Sequence, residues 1–275
     1  MLDNFVFENH KGLRFDGLKN GVYLNYSELR DYSWNYDTIN SRISRFYHSI
    51  TNRKIPLVVY CDTEEDAIKV KNQLLDLSEA DIQAKIPGKI YVGDYYTLGY
   101  ITASKKSNYL INKRLCYIEL TFTSDDPSWY KETLSAFSPE GTNDISGGFD
   151  YPYDYEFDYA VPTNSQKINS DSAGGSAFKM RIYGEASNPY VTINNHTYRV
   201  WGNIAAGEEL LIDSLNKTIT LKKTATGETV NWFDKRDREQ YIFEPIPPGQ
   251  HTVSYLGTFS FDLYVIEKRS EPRWT

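Results

Sequence analysis

Cysteine is nearly missing from the chain: Cys61 and Cys116 are the only two in 275 residues. Two thiols cannot build a disulfide framework, and neither sits in a CxxC or Cys/His spacing of a zinc site, so both are expected to be reduced, half-buried strand residues. Histidine is equally sparse. His10, His48, His196 and His251 are scattered, none at a helical i, i+4 spacing or beside a cysteine, and each is expected at the surface or in a turn. Long apolar runs are absent too: the longest, Ile55 to Cys61 (IPLVVYC), contains Pro56 and falls far short of the roughly 20 residues that a bilayer requires. No membrane partner is expected. The start, MLDNFVFENHKG, lacks a basic segment followed by an apolar one, so no secretory signal is expected, and the protein is expected to be made and kept in a cytosol or to leave by some other route. Positive charge is also short, with 30 Lys and Arg against 37 Asp and Glu and a net charge of -7, which excludes the clustered cationic face that nucleic-acid binding needs. No G-x-S-x-G, Walker loop, dinucleotide fingerprint or tandem repeat occurs. The chain is expected to have no catalytic, cofactor or metal residues.

Tyrosine is what the sequence has in excess, at 23 residues. Its ring packs and its hydroxyl stays wet, which suits interfaces. The charge is uneven: Lys and Arg against Asp and Glu number 17 and 18 up to Ser138, then 13 and 19 beyond it, leaving -1 in the first half and -6 in the second.

Helical periodicity is convincing once, over Thr63 to Leu77, where Ala67, Val70, Leu74 and Leu77 share one face and Thr63 caps the start with Asp66 three residues on. Elsewhere the period is two, as in Leu115 to Thr123, with Cys116, Ile118, Leu120 and Phe122 on one side. The fold is therefore expected to be mainly β with one helix. Hairpins are expected for Tyr190 to Ile193 with His196 to Val200 around Asn194-Asn195, and for Leu210 to Asp213 with Thr218 to Lys222. After Pro87-Gly88, the run KIYVGDYYTLGYITAS predicts a long bent hairpin in which Gly93 and Gly99 mark bulges or bends rather than strand ends. Ser135 to Gly148 (SAFSPEGTNDISGG) is polar and aperiodic, and it places the domain boundary: 1–138 and 139–275. Pro162 to Ser176 is expected to be a surface loop.

Between these lies FDYPYDYEFDY, Phe149 to Tyr159, with Phe149, Tyr151, Tyr153, Tyr155, Phe157 and Tyr159 at every second position and with Asp150, Asp154, Glu156 and Asp158 on the opposite side, where Pro152 also falls. Carboxylates two apart on a strand are roughly 7 Å apart, the spacing of inverting glycosidases. All four share one face, however, whereas a glycosidase needs two carboxyls in different environments, and a strand cannot wrap calcium as a loop does. A solvated edge is the favoured reading. Ser176 to Lys179 reads S-x-x-K with no companion motif. Arg42, Arg45, Arg53 and Lys54 form a short basic stretch whose plain reading is a solvated surface, or a face toward an acidic partner in an assembly. Trp201 and Trp232 offer a sugar-stacking platform, although a sandwich tryptophan is more often core.

Several segments in this order resemble the distal tail proteins (Dit-type, a siphovirus tail-component family) of phages that infect Gram-positive bacteria. They are Pro87 to Gly93 leading into a Tyr-rich strand, Leu120 to Trp129 (LTFTSDDPSW) and the FDYPYDYEFDY strand. Gly184 to Ile193 (GEASNPYVTI), Leu211 to Ser214, Pro247-Pro248-Gly249 and Arg269 to Trp274 (RSEPRW) follow. The resemblance spans nearly the whole chain. It implies a non-enzymatic hub at the virion tail tip, with a β-barrel-like first domain forming a hexameric ring and a galectin-like β-sandwich second domain projecting outward. The implied partners are the tail-tube protein, the tail-tip or tail-associated lysin protein and receptor-binding proteins. The near-neutral first half is expected to supply the self-contact, since copies of a -6 domain repel. The alternative is a carbohydrate-binding β-sandwich protein that recognises host cell-wall polysaccharide.

Overall fold

The computed structural model describes residues 4–25, 28–109, 113–139 and 166–274. Its chain divides into two compact units, Met1–Lys131 with Arg269–Thr275, and Glu132–Lys268. The segment that carries FDYPYDYEFDY lies outside the described residues.

The first unit holds β1 (Val6–Glu8), β2 (Arg14–Asp16), β3 (Val22–Leu24), β4 (Asn35–Ile39), β5 (Arg42–Tyr47), β6 (Thr51–Tyr60), α1 (Glu64–Ala84), β7 (Gly88–Val92), β8 (Tyr95–Ser107), β9 (Leu115–Ser124) and the start of β10 (Trp129–Phe137). All pairings are antiparallel, in the order β2-β1-β7-β8 and then β8-β9-β6-β3. Thirteen residues long, β8 joins the two runs: Tyr95 to Gly99 pair with β7, and Tyr100 to Ser107 pair with β9. Among the described residues β2 and β3 do not pair with each other, so the wrap stays open rather than closing into a barrel. The alternation in β6 turns Ile55, Leu57 and Val59 into a core shared with Phe5, Phe7, Phe122 and Trp129. Pro56 is tolerated in β6 because its missing donor falls just past the end of β3, where Asn25 N–H bonds the Pro56 carbonyl instead.

The expected helix is present and longer than its apolar period suggests, 21 residues against the fifteen of Thr63 to Leu77. Thr63 Oγ1 accepts from Asp66 N–H at 3.1 Å and donates to the Asp66 carboxylate at 2.6 Å. The extra turns escaped the pattern because polar side chains, Ser78 and Asp81, occupy the buried face there. Gly93 is not a bulge: it begins the turn that ends β7, with φ 57°. Gly99 lies inside β8 opposite Gly88, where a Cβ would stand 2.6 Å from the Phe122 ring, and the irregularity of β8 falls at Ile101/Ala103.

The second unit holds the rest of β10, then β11 (Gln166–Ser170), β12 (Ala177–Tyr183), β13 (Ala186–Ser187), β14 (Tyr190–Ile193), β15 (His196–Arg199), β16 (Asn203–Ile204), β17 (Glu208–Asp213), β18 (Thr218–Lys223), β19 (Thr229–Asn231), β20 (Gly249–Tyr255) and β21 (Ser260–Arg269). One sheet runs β19-β18-β17-β12-β21-β10 and the other β11-β20-β14-β15. Inward residues of both, among them Phe178, Ile212 and Leu263 from the first and Val191, Tyr198 and Val253 from the second, fill one core, which makes a β-sandwich. Asn194 and Asn195 take φ 47° and 64° in the expected tight turn. The expected loop 162–176 is overturned in part. Gln166 to Ser170 are strand β11, paired with β20, and Ser170, Ser172 and Ser176 are buried, their hydroxyls satisfied by one another and by backbone.

Candidate functional site

The least ordinary feature of the first unit is a hairpin that pairs with no other strand among the described residues: β4 and β5 form a two-stranded sheet of their own. Asn40 and Ser41, at φ 49° and 61°, make the two-residue turn that joins them. Directly opposed residues share a face, so the pair Tyr36–Phe46 places Trp34, Tyr36, Ile43, Phe46 and His48 on one side. Asn35, Asp37, Arg42, Arg45 and Tyr47 take the other. The base is held by the Trp34 ring on the His48 ring at 3.8 Å and by the Trp34 edge on Phe46 at 6.4 Å. The apolar side is nonetheless open to solvent, with Trp34, Tyr36, Ile43 and Phe46 between 46% and 58% exposed.

Beneath the hairpin lies a cavity of about 180 Å³ lined by Glu28, Asp31, His48 and Arg53 among others. Arg53 is buried, and its Nη2 donates to the Pro127 carbonyl at 2.8 Å, while Nε and Nη1 have no partner among the described residues. Burial holds its guanidinium below the usual arginine value, and the Asp31 carboxylate partly opposes this. The four basic residues of the sequence stretch do not form one patch. Arg42 and Arg45 stand on the hairpin, Arg53 is buried rather than solvated, and Lys54 lies 4.0 Å from Glu119 on the outer face of the sheet.

Helix α1 offers a second open apolar surface. Its inner face packs Ala67, Val70, Leu74 and Leu77 into the core. Its C-terminal half is pinned by Asp81, fully buried, whose Oδ1 accepts from His10 N–H at 2.8 Å and lies 2.6 Å from His10 Nδ1. On a flank of the same helix Ile68, Leu75 and Ile82, seven apart, are 45–47% exposed. A groove of about 170 Å³ runs between this flank and β8 and β9.

The remaining sequence candidates stay apart. His10 lies in a turn, as expected, but its side chain is largely covered and pairs with the buried Asp81. His48 stacks on Trp34, His196 Nε2 lies 2.9 Å from the Tyr241 carbonyl, and His251 Nε2 lies 2.7 Å from that of Pro247. Ser176 points inward to Ser170 and Lys179 outward to Glu132 at 2.9 Å, so they form no nucleophile–base pair. Trp232 packs on the core of the second unit, while Trp201 is half exposed with Arg199 over its ring at 5.0 Å. Cys61 and Cys116 are free but buried rather than half-buried, with Cys116 on β9 and Cys61 just past the end of β6, and burial raises both thiols above the ordinary value. Among the described residues no three His, Cys, Asp or Glu side chains come together as metal ligands. No described helix is long and apolar enough to cross a membrane.

The tyrosines divide into two kinds. Tyr130, bonded to the Asp126 carboxylate, and Tyr198, bonded to the Glu244 carbonyl, are buried and their hydroxyls are strongly raised by desolvation. Tyr183, which donates to Asp262 at 2.9 Å, is pushed up to about 12, first by burial and then by that carboxylate. The exposed ones among the described residues, Tyr23, Tyr32, Tyr36, Tyr47, Tyr60, Tyr109 and Tyr117, all belong to the first unit, with Tyr241 the exception.

No family model and no curated protein matches the sequence. Solved structures do match. The SPP1 Dit (gp 19.1) protein, described as a paradigm of hub adsorption apparatus in phages infecting Gram-positive bacteria, is 12% identical with a TM-score of 0.57, over 98% of this chain and 100% of the other. Chains of the phage P2 baseplate in its activated conformation, with Ca and with Sr, are each 13% identical with TM-scores of 0.61 and 0.60, over 99% of this chain and 100% of theirs. The chain therefore has the fold of these tail and baseplate proteins from end to end.

Proposed function

We propose that this protein is a non-enzymatic structural component of a phage tail tip, a hub whose first domain, residues 1–138, closes a six-membered ring and whose second, 139–275, faces outward. The observation that supports this most is that the likeness to the SPP1 and P2 proteins takes in both units and leaves no part of the neighbours' chains uncovered. A shared fold alone does not specify a function, since function lies in sites. The second support is therefore the surface. Among the described residues the first unit exposes apolar side chains on the hairpin, on the helix flank and at single positions such as Leu13, Leu18 and Ile50, together with seven of the eight exposed tyrosines, which is the composition of a surface that other subunits cover. Ring neighbours in such a hub are the tail-tube protein on one side, the tail-associated lysin or tail-tip protein on the other, and receptor-binding proteins at the periphery. Native mass spectrometry of the purified chain tests the reading. A species of six times 31.8 kDa is expected, and a protein that stays at one copy, alone and with tail proteins added, overturns it.

A further inference from the structure

We propose that Trp34 and His48 form a proton-operated clamp at the root of the β4–β5 arm, tight when the imidazole is charged and slack when it is neutral. The clamp is a property of one chain and needs no second copy. A lone two-stranded hairpin is marginal in water, so one contact across its root shifts the balance between a formed and a frayed arm. Register places that contact. Asn35 pairs with Tyr47, and one step further down, beyond the ladder, Trp34 faces His48. Their rings stack at 3.8 Å with 34° between the planes. The two legs are tied a second time by Asn35 Nδ2, which donates to Ser49 Oγ at 2.9 Å.

The hydrogen bonds fix which nitrogen takes the proton. His48 Nδ1 lies 3.2 Å from the Ser33 carbonyl, which only accepts, so Nδ1 carries the hydrogen and Nε2 is left to gain one. Charging the ring changes the stack in kind. Neutral imidazole on indole is a contact of two π faces, whereas imidazolium over tryptophan is a cation held by the ring quadrupole, and tryptophan is the best ring for it. The bond to Ser33 becomes charge-assisted at the same time. The neighbouring charges favour the proton on balance. His48 lines the cavity beneath the arm with Glu28, Asp31, Tyr32 and Arg53, so two carboxylates attract an imidazolium there and one guanidinium repels it. Glu28 Oε2 accepts from Lys54 N–H at 2.8 Å, and Arg53 Nη2 donates to the Pro127 carbonyl at 2.8 Å. On the arm itself Asp37 and Arg45 are directly opposed on the other side and offset one another, while Arg42 stands at the far end beside the turn.

Hydrogen exchange of the full chain tests the clamp, read as protection of the backbone amides from Asn35 to Tyr47 after correction for the intrinsic pH dependence of exchange. The comparison is between about pH 6 and about pH 8, across which imidazoles change charge. In the parent, the arm is expected to be about fivefold better protected at the lower pH, which is the worth of one exposed cation–π contact. His48→Gln should flatten the difference at the slack level. His48→Arg should hold the tight level at both pH values, because a planar guanidinium stacks on indole and stays charged. Trp34 is half exposed and His48 half-buried, and protection of β9 checks that each variant folds. Equal protection of the parent arm at both pH values overturns the inference. A pH dependence that survives in His48→Gln overturns it too, since another group then carries it. A His48→Arg arm as slack as that of His48→Gln overturns the claim that charge over Trp34 does the tightening.

Discussion

Removing the Asp81 carboxylate unpins the C-terminal half of α1 from the amino-terminal loop. The side chain is wholly buried, and its Oδ1 serves both the His10 N–H at 2.8 Å and the His10 ring at 2.6 Å. Taking one partner out of a buried pair costs roughly 3–5 kcal/mol, because the other is left without its bond inside the protein. Here the lower end applies, since Asp81 Oδ2 has no partner among the described residues and its desolvation is relieved when it goes. Asp81→Ala should therefore lose about 3 kcal/mol in urea unfolding, a midpoint shift of about 1 M if the slope is about 3 kcal/mol/M. Asp81→Asn keeps a carbonyl acceptor for the His10 N–H and loses the charge, so about 1–2 kcal/mol is expected. A loss below about 0.5 kcal/mol for Asp81→Ala, the range of an ordinary surface change, would refute the claim that this pair holds the helix.

The remaining predictions concern the sheet and the tyrosines. Gly99→Ala places a Cβ 2.5 Å from the Thr123 carbonyl oxygen and 2.6 Å from the Phe122 ring, so it should destabilise by about 1–3 kcal/mol. Gly174→Ala, which meets nothing within 4 Å, should change stability by less than about 0.5 kcal/mol, and equal effects in thermal unfolding would contradict the packing described for β8. Alkaline pH should unfold the protein through its tyrosines. Tyr183 is raised to about 12, and Tyr130 and Tyr198 are raised as well, while unfolded hydroxyls ionise near 10. The unfolded chain then loses these protons first, so their contribution is intact below about pH 10 and is lost as pH rises from there through about 12. Tyrosinate absorbance of the folded protein should lag that of the urea-unfolded chain, and coincident titrations would argue against buried hydroxyls.

Much of this architecture was readable from residues alone wherever one face of an element is uniformly apolar. Cys116, Ile118, Leu120 and Phe122 alternate into the core of β9, and Ala67, Val70, Leu74 and Leu77 line the inner face of α1. Reading failed where polar side chains do structural work inside. Ser78 and Asp81 sit on the buried face of α1, and buried serines hold β11 in what reads as a polar loop. The β4–β5 arm was missed for the opposite reason. Neither of its sides is buried, so no core-facing alternation marks it, and its signal is the Asn40-Ser41 turn between NYDTI and RISRFY. The arginine stretch read as one basic surface because spacing does not show that Arg53 turns inward on β6 while Arg42 and Arg45 point out on the arm. The α1 stripe was invisible because Ile68, Leu75 and Ile82 lie beside the core face rather than on it, and only the tertiary packing shows that nothing covers them.

Negative-stain imaging of the purified full-length chain, at a concentration where a subunit contact of ordinary size is populated, tests the central claim most directly. The account predicts closed rings of uniform copy number with a central opening, and a field of single-copy particles would contradict it.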